Sequence, residues 1–356
     1  MDIIVLLDGT WNDRNDNTNV RQIYDRLKAD GRCGEQYLCH YVPGVGTKPL
    51  ERLRGGIFGL GLDDNIRNGY RFIAEHHRSE EDRIFLIGYS RGAFTARSLA
   101  GMIAKCGIVG PKHFSDKELF ERYRDENMPG LHDMQQKWKP ASSEADKKLL
   151  AASRLARIRF IGVFDTVGSL GIPGTVGRWL SRNRYKFHDT KLSGLVDYAY
   201  HAIAIDERRK QFEPTLWTGV PKPIPGHTTV LDQRWFVGAH GNVGGGGTKN
   251  PDANNPLAAI TREWILDRAA NAGLAVRSTA PSAIAWQGGY GDSYKDGFWG
   301  FLGKLPGNKP FVRPVRDSVE ENLDKSVLRR WGWGNPGYRP ANKNLETWVK
   351  EINGTP

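Results

Sequence analysis

The chain has 356 residues, 39% hydrophobic and 26% charged, with a net charge of +11, 42 glycines and 11 tryptophans. That length fits one large α/β domain with insertions or two modest domains, and the balance is that of a globular rather than a disordered chain. No apolar run approaches the ~20 residues of a membrane-spanning helix, and three cysteines, Cys33, Cys39 and Cys106, make neither a disulfide framework nor a zinc site.

Residues 3–7 are an unbroken apolar run ending in Asp8-Gly9-Thr10-Trp11-Asn12. The segment is too short and wrongly charged for a cleaved signal peptide. It predicts a first buried strand, in a protein that is cytoplasmic in the producing cell or leaves it by machinery needing no cleaved signal. Further apolar runs occur at 37–42 before Pro43-Gly44-Val45-Gly46-Thr47, at 83–87 before Gly88, at 158–164 before Asp165-Thr166, and at 235–237 before Gly238-Ala239-His240. Continuous rather than alternating hydrophobicity predicts strands covered on both faces. Amphipathic stretches at 64–77, 92–106 and 255–272 predict helices between them. The alternation predicts an α/β fold with a doubly wound, mostly parallel sheet and helical and loop insertions. Its ligand site is expected beyond the C-terminal ends of the strands.

Residues 1–280 read as the catalytic core, with a charged helical insertion at about 111–156. Residues 281–356 read as an extension packed on that core. Its first part, including the stretch from Trp286 to Leu302, is rich in glycine and aromatics. Basic residues gather at 178–186 and at Arg208-Arg209-Lys210. Such a face is either solvated or meets an anionic membrane surface. No nucleic-acid-binding module accompanies it, so nucleic acid is not an expected partner. Gly55-Gly56 and Gly59-Leu60-Gly61 lack the Gly-Lys-Ser/Thr of a phosphate loop.

Gly88-Tyr89-Ser90-Arg91-Gly92 matches G-x-S-x-G between an apolar strand and a helix rich in small residues. That setting is a nucleophile elbow, with Ser90 on a sharp turn and the Arg91 amide at the helix start facing an oxyanion. Of the nine histidines, His240 is the expected base, because it ends a strand, precedes a glycine run and comes after Ser90 in the chain; His201 is the next candidate. The acid is Asp165 at a strand end, or Asp206 in Ile205-Asp206-Glu207-Arg208-Arg209, where ion pairing offers a structural alternative. Gly9 and Thr10, after the first strand, are expected to complete the oxyanion hole or shape the pocket floor; the alternative is that Asp8 caps this turn with its side chain.

Together these segments resemble the α/β-hydrolase family that includes the phospholipase effectors of bacterial type VI secretion. The resemblance rests on Leu7-Asp8-Gly9-Thr10-Trp11-Asn12, Gly44-Val45-Gly46-Thr47, Gly88-Tyr89-Ser90-Arg91-Gly92-Ala93, the run from Gly162 to Ser169, that from Ala202 to Arg209, and that from Trp235 to His240. It covers residues 1 to about 270. It implies a Ser/Asp/His triad and a lipid or other ester substrate, with no metal or cofactor required. An immunity or secretion-machinery protein is an implied partner. Asn242 departs from the family, which usually carries an aspartate there. The expected function is ester hydrolysis through an acyl-enzyme, with glycerophospholipids as the substrate the resemblance implies. The alternatives are small soluble esters or thioesters, and a catalytically inactive binding protein.

Overall fold

The computed structural model describes residues 1–10, 12, 16–44, 58–168, 191–221, 228–246, 255–290, 310–334 and 336–354, with 58–60 as backbone only. Trp11, Val45-Gly46-Thr47, Gly55-Gly56, the basic run at 178–186 and residues 291–302 lie outside the described residues.

Seven parallel strands form the central sheet. They are β1 (Asp2–Leu7), β2 (Tyr37–Val42), β3 (Arg83–Tyr89), β6 (Ile158–Phe164), β7 (Val196–Ala204), β8 (Val230–Phe236) and β9 (Glu321–Leu323), in the spatial order β2-β1-β3-β6-β7-β8-β9. The unbroken apolar runs have the reason the sequence suggests. Ile3, Val5 and Leu7 pack on one face with Ile66, Tyr70 and Ile73 of α2 (Phe58–His76) and with Ala96, Leu99 and Ile103 of α3 (Arg91–Cys106). Ile4 and Leu6 pack on the other face with Val20, Ile23 and Leu27 of α1 (Asn19–Ala29) and with Ile265 and Leu266 of the helix Pro256–Asn271. Helices on both faces of a parallel sheet are the doubly wound α/β arrangement, here α/β-hydrolase-like.

The chain leaves β1 outward to β2 and returns on the other side of β1 to form β3. Successive connections therefore diverge between β1 and β3, opening a crevice at their C-terminal ends. The turns after Leu7 and after Tyr89 both lie there.

Between β3 and β6, a two-stranded antiparallel ribbon of β4 (Ile108–Val109) and β5 (Ser153–Arg154) closes off three short helices, α4 (Asp116–Arg124), α5 (Leu131–Gln135) and α6 (Glu144–Ala152). Ser115 and Ser143 begin the first and third with reciprocal capping boxes to Glu118 and Asp146. The C-terminal segment does more than lie against the core, because it supplies β9 at the sheet edge. Val315, Val327, Tyr338, Leu345 and Trp348 bury with Ile203, Trp235 and Val237 in a third apolar cluster. Among the described residues no helix is long and apolar enough to cross a membrane.

Candidate active site

Ser90 sits between β3 and α3 with φ 58° and ψ −121°. A non-glycine residue at positive φ is strained and persists only where its surroundings over-determine it. They do so here. The Ser90 N–H donates to the Phe164 carbonyl at 2.9 Å, tying the turn to the end of β6. Gly88 and Gly92 allow close approach, since a Cβ on Gly92 would lie 2.2 Å from the Leu7 carbonyl oxygen and one on Gly88 would lie 2.5 Å from the Gly92 oxygen.

His240 Nε2 lies 2.8 Å from Ser90 Oγ, and its Nδ1 lies 2.6 Å from Asp165 Oδ2. The imidazole is clasped by Tyr89 and Phe212, each 4.8 Å away between ring centroids. Its own main-chain N–H donates to Glu207 Oε2 at 3.2 Å. The residues after β8 form a short helix, α7 (His240–Gly244), which fixes His240 at a helix start. Asn242 stabilises that turn by accepting from the Ala239 N–H at 3.1 Å and donating to Asn255 Oδ1. With Pro256–Asn271 as α8, Asn255 in turn donates to the Gly241 carbonyl at 2.8 Å, so α7 is anchored to the start of α8.

Asp165 is fully buried at the end of β6, with φ 40°. Its Oδ1 accepts from the Ala204 N–H at 2.9 Å and from Arg313 Nη1 at 2.6 Å, and its Oδ2 accepts from Arg313 Nη2 at 3.0 Å. Burial pushes its carboxyl up, but the Arg313 charge and the His240 hydrogen bond outweigh burial and hold it well below the usual carboxylate range. For His240 burial wins and lowers the imidazole below its ordinary value, against the pull of Asp165 and Glu207. The ring is therefore neutral at pH 7, with Nε2 facing the serine as a proton acceptor.

The structure does not bring the other histidine or the other acid to Ser90. His201 is fully buried on β7, accepts the Thr166 N–H at Nε2, and is lowered to about 3 by burial and by Arg97. Asp206 Oδ2 accepts from the Gly238 N–H at 2.7 Å and the Tyr338 hydroxyl at 3.0 Å. It braces the β7 and β8 ends to the C-terminal segment rather than joining the ion pair expected of its neighbours, since Arg209 pairs with Glu207. Lys210 likewise pairs with Glu213 at 2.6 Å.

The oxyanion expectation changes at one position. The Gly9 N–H donates to Asp8 Oδ1 at 2.8 Å, because Asp8 folds back to cap its own turn while its Oδ2 accepts the Thr18 and Tyr41 hydroxyls. Burial exceeds these bonds and raises Asp8 to about 6. Thr10 remains on that loop, with Oγ1 buried and unpartnered among the described residues. Arg91 opens α3, where the first amides have no intrahelical acceptor. Trp286 packs edge-on against Trp333 at 5.4 Å.

Four contributors were not foreseen: Arg313, Glu207, Tyr89 and Phe212. Arg313 had a readable signal, a lone cation within Phe311-Val312-Arg313-Pro314-Val315. An arginine in an apolar run must be paired if it is buried.

The chain is similar to known proteins to different extents. The family model "T6SS, Phospholipase effector Tle1-like, catalytic domain" matches residues 1–268. An uncharacterised protein of Saccharomyces cerevisiae, YEL023C, is 30% identical over 241 residues, which cover 62% of this chain and 33% of that protein. Among solved structures, an uncharacterised Pseudomonas aeruginosa protein is 16% identical with a TM-score of 0.41, covering 80% of this chain and 48% of that one. A Tle1 effector bound to the VgrG spike is 16% identical with a TM-score of 0.33, covering 69% and 51%. An esterase from Thermogutta terrifontis is 11% identical with a TM-score of 0.39, covering 78% and 85%. The chain thus spans about a third of the yeast relative and about half of the first two structures.

Proposed function

This chain belongs to the family of Tle1-like phospholipase effector catalytic domains of type VI secretion, and on that premise we propose that it is a serine hydrolase cleaving carboxylic esters through an acyl-enzyme. The observation that carries the reading is the hydrogen-bonded series Ser90 Oγ, His240 Nε2, His240 Nδ1, Asp165 Oδ2, at 2.8 and 2.6 Å. Ser90 Oγ attacks the ester carbonyl as His240 Nε2 takes its proton. The developing oxyanion is met by main-chain N–H groups of Arg91 and Thr10. The tetrahedral adduct expels the alcohol, which receives the proton from His240 and leaves an acyl-serine. Water then gives a proton to His240 and attacks the acyl carbon; Ser90 leaves, regains the proton and releases the acid. Asp165 keeps the productive tautomer and stabilises the transient imidazolium.

Glycerophospholipid is the substrate we propose, on the family's name and on the net charge of +11, which favours an anionic lipid surface. A secretion-machinery partner is proposed on family membership alone. The test compares wild type with Ser90→Ala on phosphatidylglycerol vesicles and on short p-nitrophenyl esters. Ser90→Ala is expected to fold and to lose about a thousandfold or more in turnover. Wild-type turnover in that variant would end the reading. Activity on monomeric esters that vesicles fail to elicit would move the substrate to small soluble esters.

A further inference from the structure

Arg313 reaches the site from outside the segment that defines the family, since the family model ends at residue 268. The side chain is fully buried and forks onto both oxygens of Asp165. Nη1 also donates to the Ala204 carbonyl at 2.7 Å and Nη2 to the Phe212 carbonyl. Asn342 Nδ2 donates to the main-chain carbonyl of Arg313 at 2.8 Å and so holds the strap carrying it. The guanidinium is thus clamped at three points, the end of β7, the turn bearing Phe212 and the Asp165 carboxylate. Phe212 is also one of the two rings that clasp His240.

We propose that Arg313 is a positioning residue of the hydrolytic site, holding Asp165 ionised and aimed at His240 and thereby setting the acid limit of the reaction. The proposal rests on the serine-hydrolase reading above. A fully buried carboxylate has two ways to become tolerable, a proton or a cation. With a proton, Asp165 no longer accepts a charge-assisted bond from His240 Nδ1–H, and the tautomer that activates Ser90 loses its hold. Arg313 supplies the cation. It also shares Oδ2 with the imidazole, so it opposes protonation of His240 at the same moment.

The other ionisable groups facing the pair leave this role open. Glu207 touches the His240 main chain and is matched by Arg209 at 2.7 Å. Tyr89 and His201 stay neutral at working pH, because burial raises the first well above its ordinary value and lowers the second to about 3. Two cations therefore face two carboxylates around one neutral imidazole. Removing Arg313 unbalances the set toward negative charge, which raises the proton affinity of both Asp165 and His240. Both changes move the acid limb of activity toward higher pH.

The experiment measures the second-order rate at which a fluorophosphonate probe labels the full-length chain between pH 4 and 9. Wild type, Arg313→Met and Arg313→Lys are compared, with circular dichroism confirming the fold of each. Wild type is expected to label with an acid limb below the ordinary histidine range. Arg313→Met is expected to move that limb up by about one pH unit or more, the effect of losing an opposite charge at contact distance. Arg313→Lys keeps the charge but not the fork, so it should label more slowly with its limb within about half a unit of wild type. Arg313→Lys decides the matter even where Arg313→Met does not fold. A lysine limb displaced by a full unit, or a folded methionine variant with the wild-type limb, overturns the proposal. Absence of wild-type labelling across the range instead overturns the hydrolase reading on which it stands.

Discussion

The two oxygens of Asp165 accept from His240 Nδ1, the Ala204 N–H and both terminal nitrogens of Arg313. Substitution by asparagine therefore does two things at once. It favours the wrong imidazole tautomer, which costs up to about ten-thousandfold in turnover. It also leaves the buried Arg313 without its anion, which costs about 3–5 kcal/mol where one partner of a buried pair is removed. Asp165→Asn should thus lose both activity and stability, read by ester turnover and urea denaturation, and a variant that is inactive but fully stable would contradict the clamp. Asp206→Asn should do neither. The asparagine oxygen still accepts from Gly238 N–H and the Tyr338 hydroxyl, and burial has already raised the Asp206 carboxyl to about 6. A raised folded value gives stability that is present below the ordinary carboxyl range and lost as pH climbs through 6. The asparagine variant should gain on wild type between about pH 4 and pH 7. At this scale Ser90 and His240 were legible as candidates, because a strand–turn–helix motif and a histidine just after a strand are local patterns. Arg313 was harder to read: its apolar flanks mark it as a cation that must be paired, but its partner lies 148 residues away in the chain and no local pattern names it.

At the scale of elements, legibility tracks burial. Strands β1 and β3 read directly, since they are buried almost throughout and their apolar runs are continuous; β2, half-buried at the sheet edge, and β6 read despite His40 and Arg159 because the remaining residues are mostly apolar. Strand β8 was visible only at its end, because Asp232, Gln233 and Arg234 interrupt it. The three residues of β9, Glu321-Asn322-Leu323, are too few and too polar to carry a strand signal and form a strand only by pairing with β8. The glycines around Ser90 were read as space for a strained turn, and the distances give that reading a test. An alanine methyl at 92 would overlap two main-chain carbonyls, 2.2 Å from Leu7 and 2.5 Å from Asp8, and neither carbonyl can yield without disturbing the β1 turn. Gly92→Ala is expected to lose more than about 3 kcal/mol, or to yield no folded protein. Gly241→Ala is the control, since no atom lies within 4 Å of its added carbon. Within the helix α7 that change should be neutral or stabilising by up to about 1 kcal/mol. Thermal melts of the two variants check the contrast.

At the scale of the whole molecule, the segment matched by the family model depends on the C-terminal segment beyond it. Three observations argue against its independence. Strand β9 covers the edge of β8, where Gln233 and Trp235 pair with Glu321 and Leu323. The Asp165 carboxylate is neutralised by Arg313. Ile203, Ile205, Trp235 and Val237 share one buried cluster with Val315, Val327, Leu345 and Trp348. Each large apolar side chain returned to water costs about 1.5–3 kcal/mol. Exposing those four core residues, and forgoing the burial of their partners, would remove roughly the whole 5–15 kcal/mol that a domain of this kind possesses. The unpaired carboxylate adds several kcal/mol more in the same direction. A chain ending at residue 280 is therefore expected to give no cooperative melt, to bind an apolar dye, and to show no labelling by a fluorophosphonate. Dye binding without tertiary structure would identify the loss as failed packing. A cooperative melt within a few degrees of the full chain would show instead that the core holds its own edge, and that Asp165 finds another way to lose its charge.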